Sequence, residues 1–242
     1  IDGTFYNNLA LAFSAEKQWQ GGKHSLSMTA FVSPVQRGQQ GNSYREVYEL
    51  TDNYLYNPNW GYQNGKKRNA KVVTAFDPTA VISHIWKIDD TTTLTTGVGA
   101  HYARYGNTAL NWYNAPDPRP DYYRYLPSYF EDEDMQMQYR DLWRSGRPDF
   151  TQINWDNLYL ANANNLRAGN GAAVYMVEER RSDLLETSFN STLNKQFNRH
   201  LGLTAGVGAR FTQSRQFKTV DDLLGSNYAV SYTHLTLPTI CS

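Results

Sequence analysis

Five histidines, four consecutive acidic residues and one cysteine could do acid–base, metal or nucleophilic chemistry in this 242-residue chain. None falls at a spacing that such chemistry needs. His24, His84, His101, His200 and His234 contain no HExxH and no pair at metal-ligand spacing. Glu131-Asp132-Glu133-Asp134 offers the clustered oxygens that calcium wants, but lacks the spaced Asp/Asn and the Gly of a calcium loop. It reads first as a solvated acidic loop, whose charge also suits the start of a following helix. Cys241 is the single cysteine, which excludes disulfides and zinc ribbons. No GxSxG elbow, phosphate-binding loop or GxGxxG occurs. Gly97-Val98-Gly99 and Gly206-Val207-Gly208 sit inside alternating stretches, where such glycines leave room on one face or permit curvature. No catalytic residue, no metal and no cofactor is expected.

Aromatic side chains are the better candidates for binding. The chain has 18 Tyr, 10 Phe and 6 Trp, many of them in one long irregular stretch. Trp112, Tyr113, Tyr122, Tyr123, Tyr125, Trp143, Trp155 and Tyr159 are interleaved with the amides Asn111, Asn154 and Asn157. Aromatic faces beside amides suit a glycan or another amphipathic ligand, and Trp112, Tyr122, Tyr123, Trp143, Trp155 and Tyr159 form the candidate set. The same rings could instead hold the loop together, which is the commoner use. Net charge is zero, from 23 basic and 23 acidic residues, so no nucleic-acid partner is indicated.

What must position these residues is a set of alternating strands. In LGLTAGVGARF, Leu201–Phe211, the odd positions are all apolar and the even ones small, polar or charged. LTTGVGAHY at Leu94–Tyr102 repeats LTAGVGARF at Leu203–Phe211, placing His101 and Arg210 at equivalent positions. Leu9, Leu11, Phe13 and Ala15 mark a first strand; Leu26, Met28, Ala30 and Val32 mark a second. A third carries Val72, Thr74, Phe76, Ala80, Ile82 and Trp86, with Pro78 implying a bulge or a non-bonded position. The fourth runs to about Tyr105, the fifth from about Ala173 to Leu193, and the sixth is Leu201–Phe211. Short turns are expected at Gln20–Lys23, Ile88–Thr92 and Asn194–Arg199, and long loops at 37–69, at 106–172 and after Gln213. Within 106–172, helical spacing of Met135, Tyr139, Leu142 and Trp143, and of Trp155, Leu158 and Tyr159, predicts two short helices. Glu178–Arg181 is too charged for lipid and should rise above a membrane.

Strict alternation of short turns with long loops is the asymmetry of outer-membrane barrels. The fold class expected is therefore all-β: a transmembrane antiparallel β-barrel fragment of about six strands. Mean hydropathy of −0.65 does not oppose this, because barrel strands alternate. His101, Arg104 and Arg210 are the expected lumen-facing residues.

The run SDLLETSFNSTLNKQFNRHLGLTAGVGARF followed by KTVDDLLG resembles the barrel of Bacteroidetes TonB-dependent outer-membrane receptors, and TQINWDNLYLANANN resembles their helical extracellular loop. The likeness spans most of residues 1–229. It implies a barrel of about 22 strands with an N-terminal plug, of which six strands are roughly a quarter. It also implies energised nutrient uptake in the outer membrane of a Gram-negative bacterium. The implied partners are outer-membrane lipid, the protein's own plug domain, the TonB complex reached through the N-terminal part, and a surface lipoprotein. The start at Ile1 leads us to expect an internal fragment. The ending VSYTHLTLPTICS resembles a translated sequencing adapter, so 230–242 is expected to be non-native.

Two rivals remain. One is a secreted soluble β-sandwich that binds a ligand such as a glycan. The other is a polysaccharide-acting enzyme with carboxylates drawn from the acidic loop. A barrel leaves Leu94, Val98, Leu203, Val207 and Phe211 exposed in a band about 25 Å tall. A sandwich buries them between sheets.

Overall fold

The computed structural model describes residues 1–230. The tail assigned to 230–242 therefore lies, Val230 apart, outside the described residues. Nine strands form one antiparallel sheet. They are β1 (Phe5–Asn8), β2 (Leu11–Trp19), β3 (His24–Val32), β4 (Val35–Gly38), β7 (Val72–Phe76), β8 (Thr79–Asp89), β9 (Thr92–Trp112), β10 (Tyr175–Gln196) and β11 (Gly202–Asp222). Strands β5 (Trp60–Gln63) and β6 (Lys66–Asn69) make a separate hairpin. Four helices follow in the long connections: α1 (Arg45–Thr51), α2 (Glu133–Arg144), α3 (Pro148–Thr151) and α4 (Trp155–Arg167).

The nine strands run along six tracks, because three of the tracks are interrupted without losing register. Pairing of β1 with β4 continues that of β2 with β3: Asn8 faces Val35, Leu11 faces Val32, and the Leu9 amide donates to the Pro34 carbonyl at 3.3 Å. Both β7 and β8 pair with β9, Phe76 facing Arg104 and Thr79 facing His101. Pro78 has no amide to give, yet its carbonyl accepts the Tyr102 amide at 3.1 Å. This is the interruption expected at Pro78. The breaks at Leu9, Pro34 and Pro78 lie side by side across three tracks.

Short turns close one end of the sheet. Gln20, Gly21 and Gly22 all take positive φ (54°, 67° and 83°) to reverse the chain between β2 and β3. Asp90 and Thr91 alone join β8 to β9, a tighter reversal than the five residues expected. It is pinned by Asp89, which accepts from the Thr91 amide (2.8 Å) and from the Thr91 and Thr92 hydroxyls (2.7 and 2.8 Å). The third turn is 197–201, organised by Asn198 Oδ1, which accepts the amides of His200 and Leu201 at 2.9 Å each.

Long loops gather at the other end into a cap with two apolar clusters. The first contains Ala70, Ile153, Trp155, Leu158, Tyr175, Val177 and Leu224. The second contains Val47, Tyr56, Leu126 and Trp143. Asn162 of α4 ties the cap to the sheet. Its Nδ2 donates to the carbonyls of Tyr175, Leu223 and Leu224 (2.8, 3.1 and 3.0 Å), and its Oδ1 accepts the amides of Val174 and Tyr175 (2.9 and 3.0 Å).

Several expectations are corrected here. Residues 37–69 are not a plain loop: they hold β4's end, α1 and the β5–β6 hairpin, whose Asn64-Gly65 turn takes positive φ at both residues. Strand β9 continues to Trp112 and β11 to Asp222, so both outlast the polar residues that suggested loops. Among the described residues the antiparallel sheet is open, since β2 and β11 pair on one side only and do not meet.

Candidate functional site

Directly opposed residues of antiparallel strands point to one side, so the register divides the sheet into two faces. One face carries Leu11, Phe13, Leu26, Met28, Ile82, Val98, Leu185, Phe189, Leu203, Val207 and Phe211 across all six tracks. All eleven are exposed to a third or more, with Val207 at 63% and Phe211 at 58%. Leu94, on the same face, is half-buried. Every buried apolar side chain among the described residues lies instead in the cap or at the cap end of β7 and β10. The usual order, strands around a core and loops in solvent, is inverted.

The margins of this face are distinct. Near the short turns, Trp19, His24 and Trp86 lie in one row, with His84 beside them, their rings nearly parallel at 5.2–5.7 Å. His24 Nδ1 is 3.1 Å from His84 Nε2, across 60 residues of sequence. No spacing rule finds such a pair; strand register does. Toward the cap, the apolar band ends at Tyr102 and Phe76, and Phe76 shares its row with a charged belt: Arg104, Asp183 and Arg215, with Arg181 above. Arg181 bonds Asp183 at 2.8 Å and Glu179 at 3.5 Å, and is itself buried.

The opposite face is mostly polar, with Glu16, Ser27, Ser83, Thr95, Asn190, Thr192 and Arg210, and with Phe31, Val81 and Ile85 among its exposed apolar residues. The two glycine repeats flank β10 on this side. Asn190 stands between Gly97 and Gly208, and Ser188 between Gly99 and Arg210, so the copies are staggered by two residues. A Cβ on Gly99 would sit 2.8 Å from Ser188 Oγ, and one on Gly208 2.7 Å from Asn190 Oδ1. The glycines make room for polar side chains of the strand between them. His101 faces Glu186, and Glu186 pairs with Arg210. Toward the cap, Glu178 is buried and gathers Arg180 (3.2 Å), Lys218 (3.2 Å) and Asn111 (3.1 Å). Glu178, Lys218 and Asn111 line a hollow of about 370 Å³ with Trp112 and Tyr113 at its edge.

His101 and Arg210 thus share the polar face as expected. Arg104 does not. No bulge intervenes between His101 and Arg104, and an odd separation puts them on opposite sides. Arg104 belongs to the charged belt of the apolar face.

The aromatic candidates divide between the two cap clusters. Trp143 and Trp155 have no exposed surface. Trp143 Nε1 donates to the Tyr125 carbonyl (2.9 Å), and Trp155 Nε1 to the Arg68 carbonyl (3.3 Å) with the Arg68 guanidinium 4.2 Å over its ring. Both are loop core, which corrects their assignment to ligand contact. Tyr159 is half-buried; its hydroxyl accepts from Gln63 (2.9 Å) and donates to Asp222 (3.3 Å), which also holds Arg68 at 2.7 Å. Trp112 is half-buried against the first cluster, under Arg119. Tyr122 and Tyr123 do present surface. They begin a run of ring contacts through Tyr129, Phe130, Tyr139 and Phe150 to Trp143, spaced 4.4–6.0 Å. Tyr129 and Arg124, absent from the sequence candidates, belong to its exposed end, Arg124 lying over the Tyr123 and Tyr129 rings.

Burial sets the ionisation of the cap. Desolvation pushes the Tyr56 hydroxyl well above the usual phenol range, where it donates to the Thr151 carbonyl at 2.7 Å. Burial also raises the Asp121 carboxyl, against a bond from Ser43 Oγ at 2.9 Å that lowers it. In the acidic run, Asp132 Oδ1 caps α2 by accepting the Met135 amide (2.8 Å), with Glu133 and Asp134 in the first turn.

Fold and site together define an antiparallel all-β sheet with one apolar face, one polar face and a folded loop cap. No known protein family, curated protein or solved structure matches the chain.

Proposed function

We propose that this chain is part of a transmembrane β-barrel of a Gram-negative outer membrane, belonging to a TonB-dependent receptor that takes up a nutrient ligand. The carrying observation is the exposed apolar band across six tracks, with the buried core confined to the cap. Burying an exposed Leu, Val or Phe side chain is worth roughly 1–3 kcal/mol, so eleven part-exposed ones represent on the order of 10 kcal/mol. That equals the net stability of a whole domain, and hydrocarbon is the medium that recovers it.

Dimensions support the reading. Phe76 and Trp86 bound the band on one track, ten residues apart. At about 3.3 Å per residue and a tilt near 40°, this spans about 25 Å, the height of a barrel's apolar belt. Stacked aromatics at one margin and a charged belt at the other suit the two interfaces. The polar face then lines the lumen, where His101, Glu186 and Arg210 meet plug or ligand. Exposed Tyr123 and Tyr129, with half-buried Tyr122 beside them, meet ligand first in the cap. No catalytic step is needed.

The test is flotation. The chain, diluted from urea into phosphatidylcholine vesicles and spun on a density gradient, should float and resist carbonate extraction. A monodisperse, detergent-free monomer that stays at the bottom identifies a soluble binding module instead.

A further inference from the structure

The apolar face is not uniform. Between the row of Leu11, Val32, Pro78, Tyr102 and Leu185 and the row of Met28, Ile82, Val98 and Phe189 runs a row of small residues, Ala30, Ala80 and Ala100. The alanines, Phe13 and the first of these rows line a hollow of about 470 Å³, almost wholly carbon-faced and walled by Leu11, Tyr102 and Leu185. It lies at the cap end of the band, directly below the charged belt. Arg104 and Arg215 are one same-face step, about 7 Å, beyond Tyr102 and Gln213. They flank Asp183 from the two neighbouring strands, about 10 Å apart.

Asp183 forms no ion pair with either of them; both its oxygens accept from Arg181 Nη2 (2.8 and 2.9 Å). Arg104 and Arg215 are exposed and have no ion-pair partner among the described residues. The belt holds three guanidiniums against the carboxylates of Glu179 and Asp183. Two free forks over an acyl-sized hollow match one ligand chemistry: a phosphate group carried on hydrocarbon tails.

We propose that this face holds a phosphate-bearing acyl lipid of the leaflet nearest the loops, its phosphate bridging Arg104 and Arg215 and one tail seated over Ala30, Ala80 and Ala100; phosphatidylglycerol serves as the probe of that shared chemistry. The site rests on the lipid-facing reading of the band.

Native mass spectrometry of the full chain, refolded in dodecylmaltoside micelles, tests it by titration with dioleoylphosphatidylglycerol. One phosphatidylglycerol should be retained. Diolein, with the tails alone, and inorganic phosphate, with the charge alone, should not compete. The R104A/R215A pair should weaken retention about tenfold, one factor expected from losing charge-assisted bonds. A80F, which fills the hollow, should do the same, and R37A on the other face should change nothing. Diolein binding as well as phosphatidylglycerol, or R104A/R215A retaining lipid like the wild type, overturns the site while leaving the barrel reading intact. A chain that never enters the micelle overturns both.

Discussion

Val98 of β9 and Phe189 of β10 stand directly opposite each other in mid-sheet, and both are exposed, at 49% and 40%. In a water-soluble sheet such a pair is where a second layer packs. Here nothing among the described residues covers it. Substituting Val98→Arg should therefore weaken the folded state in phospholipid vesicles by about 2–4 kcal/mol, the cost of a cation near the bilayer midplane. Asn190→Lys, one position along β10 and on the polar face, should stay within about 0.5 kcal/mol. Urea titration of vesicle-bound protein measures both.

Much of this frame was legible in the sequence. Period-two alternation marked six tracks and their apolar sides, and glycines and polar clusters marked the short turns. Register was not legible, and with it went everything that depends on neighbours in space. The His24–His84 contact is set by the pairing of β3 with β8. The continuity of tracks across Leu9, Pro34 and Pro78 is set by backbone bonds that leave no residue pattern. The cap was the least readable part. Residues 37–69 lack a period because α1, the β5–β6 hairpin and the segment between them bury only a few apolar side chains, chiefly Val47, Trp60 and Tyr56 respectively. Arg104 is a different case: its side followed from its odd separation from His101.

Asn162 satisfies five backbone groups from a fully buried position. Asn162→Leu strands those donors and acceptors at about 1–3 kcal/mol apiece where water cannot replace it, so a loss of about 3 kcal/mol or more is expected. Asn162→Asp should be nearly as damaging, since a carboxylate cannot donate to the three carbonyls. Hydrogen exchange should rise first at α4 and residues 173–177.

Trp143 packs edge-on to Tyr56 and Phe150 at 6.0 and 5.6 Å. Trp143→Ala should destabilise the second cap cluster by about 3–5 kcal/mol. Limited proteolysis should then cut within residues 45–56 and 122–150, while β9–β11 remain protected. Equal loss of protection in the sheet would mean that cap and sheet unfold as one unit.

The Asp121 carboxyl is held above its ordinary value of 3.8, mainly by burial. The folded chain therefore binds this proton more tightly than the unfolded chain. Cap stability should fall as pH rises from 3.8 through the raised value, and should not recover above it. Asp121→Asn removes that dependence and should leave the cap at least as stable at neutral pH. Thermal melts from pH 4 to 7, wild type against variant, check the sign.

The alternation of medium along β11 is the most direct test of the lipid-facing band. Nitroxide labels at Val207→Cys and Arg210→Cys, in a Cys241→Ser background reconstituted into phospholipid vesicles, report which medium each side touches. Val207 should be relaxed by oxygen and shielded from a water-soluble nickel chelate, and Arg210 should show the reverse. Labels that respond alike to the chelate, or a Val207 label shielded from both relaxants, would contradict it.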